Sequence, residues 1–161
     1  MKMIQVGDKI PAQKLMLATT EGPREIDTVE LLGQGKIILF AVPGAFTPTC
    51  SAKHLPGFVK QAAEFKAKGV DKIICLSVND AFVMGAWAKD QKVGETVMML
   101  ADGSGLLTKA LGLVLDLTAR GMGVRSQRFA LVIEDGVVTK VAVEEPGGFE
   151  VSRAEAILEA L

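Results

Sequence analysis

Cys50 closes the decapeptide Ala41-Val-Pro-Gly-Ala-Phe-Thr-Pro-Thr-Cys50, which carries the chain from an apolar segment into a helical one. A thiol in that setting is placed for nucleophilic chemistry. The run from Lys36 to Val42 is apolar, rich in β-formers and bounded by Gly35 and by Pro43-Gly44, which predicts a buried strand closed by a turn. Thr47 then stands where an N-cap is expected and Pro48 suits the first helical position. Leu55, Phe58, Val59, Ala62 and Phe65 follow at helical spacing up to Gly69. Cys50 falls in the first turn, where unpaired backbone N–H groups and the positive end of the helix dipole favour an anion, and the thiolate is the nucleophilic form of cysteine. The ordinary alternative is a buried structural cysteine serving as a small hydrophobe. The strand-turn-helix context argues against it.

Two further residues bear on the chemistry. His54, the only histidine, lies four residues after Cys50 and so on the same face of a helix. A Cys50–His54 pair would be the start of a cysteine hydrolase, with His54 as base. Such pairs draw their histidine from a distant segment, and no third orienting residue is evident, so a hydrogen-bonded structural histidine is the favoured role. Cys75 sits in the strand Ile73 to Val78, where the ordinary reading is a core hydrophobe. Cys50 belongs at the C-terminal edge of a parallel sheet, and Cys75 lies about three residues, or roughly 10 Å, below that edge. A disulfide spans a Cα separation of only about 7 Å, so direct bonding would need local unfolding. Ser51, Ala52 and Lys53 follow Cys50, so there is no Cys-x-x-Cys dithiol.

The elements that must hold these residues follow from the pattern. After the Cys50 helix come a strand from Lys72 to Val78, a helix from Asp80 to about Gln91, a short strand at Val97–Leu100 and a helix around Ser104 to Leu111. A polar loop holds Arg120 and Arg125. Phe129–Glu134 and Val137–Val143, joined by Asp135-Gly136, read as a β-hairpin, and Ser152 to Leu161 as a closing helix with Ser152 as N-cap and Glu155 in the capping-box position. Pro56 would lose its bond to the Ala52 carbonyl, so a bend or local widening is expected there. The order βαβαβα then ββα, after an N-terminal segment, is that of an α/β protein with a thioredoxin-like fold, its central mixed sheet flanked by helices.

With 161 residues and no repeat or linker, residues 1–161 are expected to form one domain. A domain of that size buries about 70% of its unfolded surface without help from disulfides or metal. The 18 basic and 19 acidic residues are mixed along the chain, which offers no basic stripe for nucleic acid. No apolar run approaches a membrane span, and the Met1-Lys2-Met3-Ile4 start has no signal-peptide core, so a cytoplasmic location is expected. Two cysteines form neither a secreted disulfide framework nor a Cys-rich zinc site, and neither a metal nor an organic cofactor is expected.

Pro43, Thr47 and Cys50 stand in the Pro-x-x-x-Thr-x-x-Cys signature of peroxiredoxins. The wider strings Pro43–Ser51, His54–Phe58, Ser77–Met84 and Gly123–Ala130, in that order along nearly the whole chain, resemble the Prx5 subfamily, which includes the plant type II enzymes. The resemblance implies a thiol-dependent peroxidase that reduces hydrogen peroxide and organic hydroperoxides. Cys50 would attack the peroxide, with Arg128 aimed at the thiolate and the leaving oxygen, and Thr47 bridging thiolate and peroxide. Pro43 would shield the sulfur, and the N–H groups near Thr49 and Cys50 would complete the anion site. The arginine fork cannot lose its proton, which suits a developing oxyanion. From position alone Arg128 would be a solvated strand-end residue. Arg125 is a support residue for the Arg128 loop or faces solvent.

Cys75 matches the second cysteine of the plant type II enzymes. The other place where relatives carry a resolving cysteine here reads Gly148-Phe149-Glu150-Val151-Ser152 and has none. The expectation is therefore a one-cysteine cycle, in which Cys50 becomes a sulfenic acid and an external thiol, glutathione with glutaredoxin or a thioredoxin, reduces it. The resemblance also implies a homodimer, for which Phe46, Phe82 and Met84 are apolar candidates in loop or loop-edge positions. Two other classes remain to be compared: the Cys50–His54 hydrolase, and a thioredoxin-fold binding module without catalysis.

Overall fold

The computed structural model describes residues 2–161. Three strands are nearly continuous in apolar residues: β3 (Lys36–Val42), β4 (Lys72–Ser77) and β5 (Met98–Ala101). Such runs must be covered on both faces, which is the environment of parallel strands, and the three do lie parallel, with β4 in the middle. Alternate residues divide the core in two. On one face Ile38, Phe40, Val42 and Cys75 meet helices α2 (Leu55–Ala67), α3 (Ala81–Asp90) and α5 (Ala154–Glu159). On the other, Ile37, Leu39, Ala41, Ile74 and Leu76 meet α1 (Thr28–Leu32) and α4 (Leu106–Leu111).

Antiparallel hairpins extend the sheet on either side. β1 (Lys14–Thr19) and β2 (Gly22–Asp27) add to β5, while β8 (Phe129–Glu134) and β9 (Val137–Val143) add to β3, giving the order β2-β1-β5-β4-β3-β8-β9. The predicted Asp135-Gly136 turn adopts positive φ at both residues, 50° and 82°, as a two-residue hairpin loop requires. The mixed sheet flanked by helices is the thioredoxin-like arrangement expected, with the N-terminal addition now seen to be a hairpin and α1.

Register decides what meets at the sheet edge. Ala41 of β3 pairs with Phe129 of β8, so Arg128, one residue earlier, lies beside the C-terminal end of β3 where the Cys50 turn departs. Phe129 pairs in turn with Val143 of β9, and the next rung joins Glu144 N–H to the Arg128 carbonyl at 3.0 Å.

Four sequence expectations are corrected. Arg125 belongs to a small hairpin of its own, β6 (Val114–Leu117) with β7 (Gly123–Ser126), because Val114 and Leu115 pair across to Ser126 and Arg125. Met84 is fully buried, since Ala81, Met84 and Trp87 form the inward stripe of α3, capped by Asp80. Ser152 is not an N-cap: α5 starts after Arg153, and the Ser152 hydroxyl is taken by a distant carboxylate. Thr47 holds the capping position, with its carbonyl accepting the first helical bond from Ser51, but its hydroxyl donates to the Gly44 carbonyl at 2.7 Å instead of accepting from the helix.

The fold generates a test of close approach. Gly112 ends α4 at φ 71°, and a Cβ there would stand 2.6 Å from the Lys2 carbonyl oxygen and 2.8 Å from Met3 Cα. Gly121 has the same conformation, φ 72°, with nothing within 4 Å. Gly121→Ala should cost about 1 kcal/mol from the left-handed backbone alone, and Gly112→Ala roughly 2–4 kcal/mol because backbone must also move. Urea unfolding of both variants measures the difference, and equal costs would refute the close approach.

Candidate functional site

The site begins with a distortion. Residues Cys50–His54 form a single π-turn between the helix start at Pro48 and α2, with Leu55 N–H bonded to the Cys50 carbonyl five residues back. The expected widening is thus present, one turn ahead of Pro56, whose missing N–H removes the α-helical alternative. Ser51 N–H makes the first helical bond, to Thr47, so the amides of Thr49 and Cys50 stand ahead of the ladder at the helix mouth.

Cys50 is fully buried, and one donor reaches its sulfur: Arg128 Nη2 lies 3.1 Å from Sγ. The other arm of the fork, Nη1, lies 2.8 Å from His54 Nδ1. A guanidinium only donates, so Nδ1 must be the unprotonated ring nitrogen. His54 then carries its proton on Nε2 and donates it to the Ser152 carbonyl at 3.0 Å. Burial pushes the His54 pKa down to about 3, and the Arg128 charge pushes the same way, against the Ser152 bond and the Glu144 charge. His54 is a neutral acceptor for Arg128, with no lone pair for Cys50. The two side chains do share a face, as the spacing implied, but they meet through the guanidinium. That geometry removes the Cys50–His54 hydrolase.

The remaining sequence candidates divide. Pro43 and Thr47, both half-buried, border the turn between β3 and the π-turn. Thr47 makes no hydrogen bond to Cys50, and because its proton is committed to Gly44, its hydroxyl oxygen is left with acceptor capacity only. Arg125 does not touch Cys50. It holds two carbonyls, Met122 at 2.9 Å and Val78 at 3.3 Å, and packs on Gly44, where a Cβ would stand 3.1 Å from its Nη1. These contacts tie the β4 exit to the Pro43–Thr47 loop. Cys75 is fully buried in β4, level with Phe40 of β3 and Met99 of β5. Burial first, then Cys50, pushes its thiol pKa well up, and Arg128 only partly offsets them. Both cysteines are free thiols.

Several contributors carried no signal in sequence. Trp87 donates its indole N–H to Ser51 Oγ at 2.9 Å, anchoring the residue beside Cys50. Asn79 Oδ1 accepts Ala45 N–H at 3.0 Å and fixes the loop from β3. Phe149 lies edge-on to His54 with centroids 5.2 Å apart, and its ring centre is 5.9 Å from the Arg128 guanidinium carbon. No cluster that could hold a metal ion occurs among the described residues.

A thioredoxin-like sheet that presents a buried cysteine to a guanidinium defines a redox thiol protein. The family model described as Redoxin matches residues 5–158. The chain is 52% identical to Peroxiredoxin-2B of Arabidopsis thaliana over all of both sequences, and 53% identical to the chloroplastic Peroxiredoxin-2E of the same plant, over 98% of this chain and 69% of that one. Among solved structures, reduced Prx3 of Vibrio vulnificus in complex with hydrogen peroxide superposes with a TM-score of 0.94 at 52% identity, covering 98% of this chain and 99% of that one. The chain belongs to the Redoxin family and is a peroxiredoxin, a thiol-dependent peroxidase.

The buried histidine makes stability depend on pH in a defined window. The unfolded chain protonates its histidine near pH 6.5, while the folded form stays neutral to about pH 3. The unfolded state therefore binds more protons between those values, and stability is full above the window and lost as pH falls through it. Between pH 6 and 5, the unfolding free energy should fall by ~1.4 kcal/mol per pH unit from this group. His54→Gln, which leaves no histidine, should flatten that slope in urea titrations. An unchanged slope would refute the neutral, buried ring.

Proposed function

We propose that Cys50 is the peroxide-reacting thiol, that Thr47, Pro43 and Arg128 complete its site, and that an external thiol restores it. The observation that carries this reading is the 3.1 Å contact from Arg128 Nη2 to Cys50 Sγ, made by a side chain that a neutral histidine holds in place. The thiolate attacks one peroxide oxygen, the O–O bond breaks, and the second oxygen leaves as hydroxide or alkoxide and takes up a proton. Arg128 donors and the free N–H groups at Thr49 and Cys50 face the charge that grows on that oxygen. Thr47 accepts a hydrogen bond from the peroxide, aligning it for attack. Pro43 brings no donor and limits water at the sulfur.

The product is a Cys50 sulfenic acid. One external thiol condenses with it, releasing water and leaving a mixed disulfide, and a second thiol frees Cys50 as a disulfide between the two reductants departs. Cys75 is a poor internal partner on two grounds: its thiol is held protonated by burial, and it is locked in the central strand of the sheet. Glutathione with glutaredoxin, or a thioredoxin, fits this cycle. Hydrogen peroxide is supported as substrate by the complex formed by the Vibrio vulnificus relative. Organic hydroperoxides follow from the same chemistry, and a single domain working in the cytoplasm is the simplest setting for such reductants.

A homodimer through the rim of the site is part of the proposal. Phe82, in the first turn of α3, is 76% exposed and Phe46, on the loop after β3, 52% exposed, and the Ala45–Asn79 bond ties that loop to the segment leading into α3. Phe46 also holds φ 65°, a strained backbone for an aromatic residue, while showing its ring to solvent. Met84 takes no part, being buried. Phe82→Asp should convert dimer to monomer in sedimentation; a wild-type monomer would refute this assembly.

Intact mass and free-thiol count after one equivalent of hydrogen peroxide test the chemistry. Wild type should gain one oxygen at Cys50 and keep its second thiol, Cys50→Ser should not react, and Arg128→Lys should react roughly a hundredfold more slowly. Cys75→Ala should keep its turnover with the external thiol to within about twofold. Prompt loss of both thiols would make Cys75 the resolving partner, and an inert Cys50 would end the assignment.

A further inference from the structure

The guanidinium that faces Cys50 is held by a closed circuit of hydrogen bonds that begins and ends on Arg128. Its backbone carbonyl accepts Glu144 N–H at 3.0 Å. The Glu144 carboxylate accepts the Ser152 N–H at 2.8 Å and hydroxyl at 2.7 Å, both on Oε2, and the Glu150 N–H at 3.0 and 2.9 Å on its two oxygens. Ser152 turns its carbonyl to His54 Nε2, and His54 Nδ1 returns to Arg128 Nη1. Each link constrains the next, because the ring can accept from Arg128 only while its proton sits on Nε2, and that proton needs the Ser152 carbonyl. Besides the guanidinium itself, the Glu144 carboxylate is the one charged link in this loop.

We propose that Glu144 is a positioning residue for the peroxidase reaction: by fixing Ser152 it sets the His54 tautomer, and through it the placement of Arg128 on Cys50. This inference rests on the assignment of Cys50 and Arg128 made above. Three features single out Glu144. Its side chain is only 8% exposed, unusual for a carboxylate in a loop, and it gathers donors from residues six to eight positions later. Those bonds pin a segment that the sheet does not hold, since β9 ends at Val143 and α5 starts only at Ala154. Charge-assisted bonds of this kind are about twice as strong as neutral ones, so no uncharged residue replaces them fully. The hydrogen bonds outweigh the cost of burial and hold the Glu144 pKa below the usual carboxylate value, so it stays ionised at neutral pH.

Glu144→Ala tests the circuit with two readouts. The first is the rate at which reduced protein reacts with hydrogen peroxide, followed in rapid mixing through the single tryptophan, Trp87, which is bonded to Ser51 beside Cys50. The second is the nitrogen shift pair of the single histidine, which reports its tautomer. Wild type should show a pure Nε2–H ring. Glu144→Ala should show a mixed tautomer together with a roughly ten- to hundredfold slower reaction, as expected for a displaced catalytic group. Glu144→Gln, which keeps one acceptor oxygen, should fall between on both scales and serves where the alanine variant does not fold. A folded variant with a lower melting temperature but wild-type tautomer and a rate within about twofold would reduce Glu144 to loop stability and overturn the inference. A wild-type Cys50 that does not react with peroxide would instead overturn the site assignment, and this inference with it.

Discussion

The fork of Arg128, one arm on Cys50 Sγ and the other on His54 Nδ1, is the contact on which the site depends. A guanidinium has donors only and presents its arms in one plane. Its two partners must therefore both be acceptors. That single requirement fixes the protonation state of the only histidine, excludes that histidine as a base, and leaves the sulfur facing fixed positive charge. Phe149 lies against the same pair, so part of the contact is shielded from water, where such charge-dipole interactions are stronger.

Bringing the fork to the cysteine is a problem of sheet register. Cys50 follows β3, while Arg128 precedes β8, 78 residues later. The two strands run antiparallel with Ala41 opposite Phe129, so the exit of one and the entry of the other share an edge. A slip of one residue would turn Arg128 to the other face and exchange the two halves of the core, since Ile38, Phe40 and Val42 pack on one side and Ile37, Leu39 and Ala41 on the other. The large buried residues of both clusters thus guard the chemistry without touching it.

Local signals were legible in the sequence where one element answered to one pattern. The buried strand Lys36–Val42, the helix beginning near Asp80, the Asp135-Gly136 hairpin and the widened turn near Pro56 all follow from residues within a few positions of each other. The Pro43, Thr47 and Cys50 signature, with Arg128, pointed to the family that the comparisons then showed. What failed was decided at long range. Ser152 has the spacing of a capping box with Glu155, yet the Glu144 carboxylate outbids the helix for its hydroxyl. Arg125 sits in strands of four residues, too short to show alternation. Met84 is a different case, since its three-residue spacing from Ala81 and Trp87 was readable and marks the inward stripe.

The π-turn connects these levels. In a regular helix, residues 50 and 54 lie about 40° apart around the axis, because four steps overshoot one turn of 3.6 residues. The wider turn rotates less per residue, and within it one guanidinium reaches both, Nη2 at Cys50 and Nη1 at His54. Pro56 enforces this: it has no N–H for the Ala52 carbonyl, and its ring would collide with that carbonyl in an α-helical register. The widened turn costs helical bonding, and it is tolerated where Phe40, Phe58 and Phe65 pack beneath it, with Phe40 and Phe58 stacked 4.1 Å apart and Phe58 and Phe65 5.5 Å apart. A proline that reads as a fault in the helix is thus what lets one arginine hold the histidine and the cysteine together.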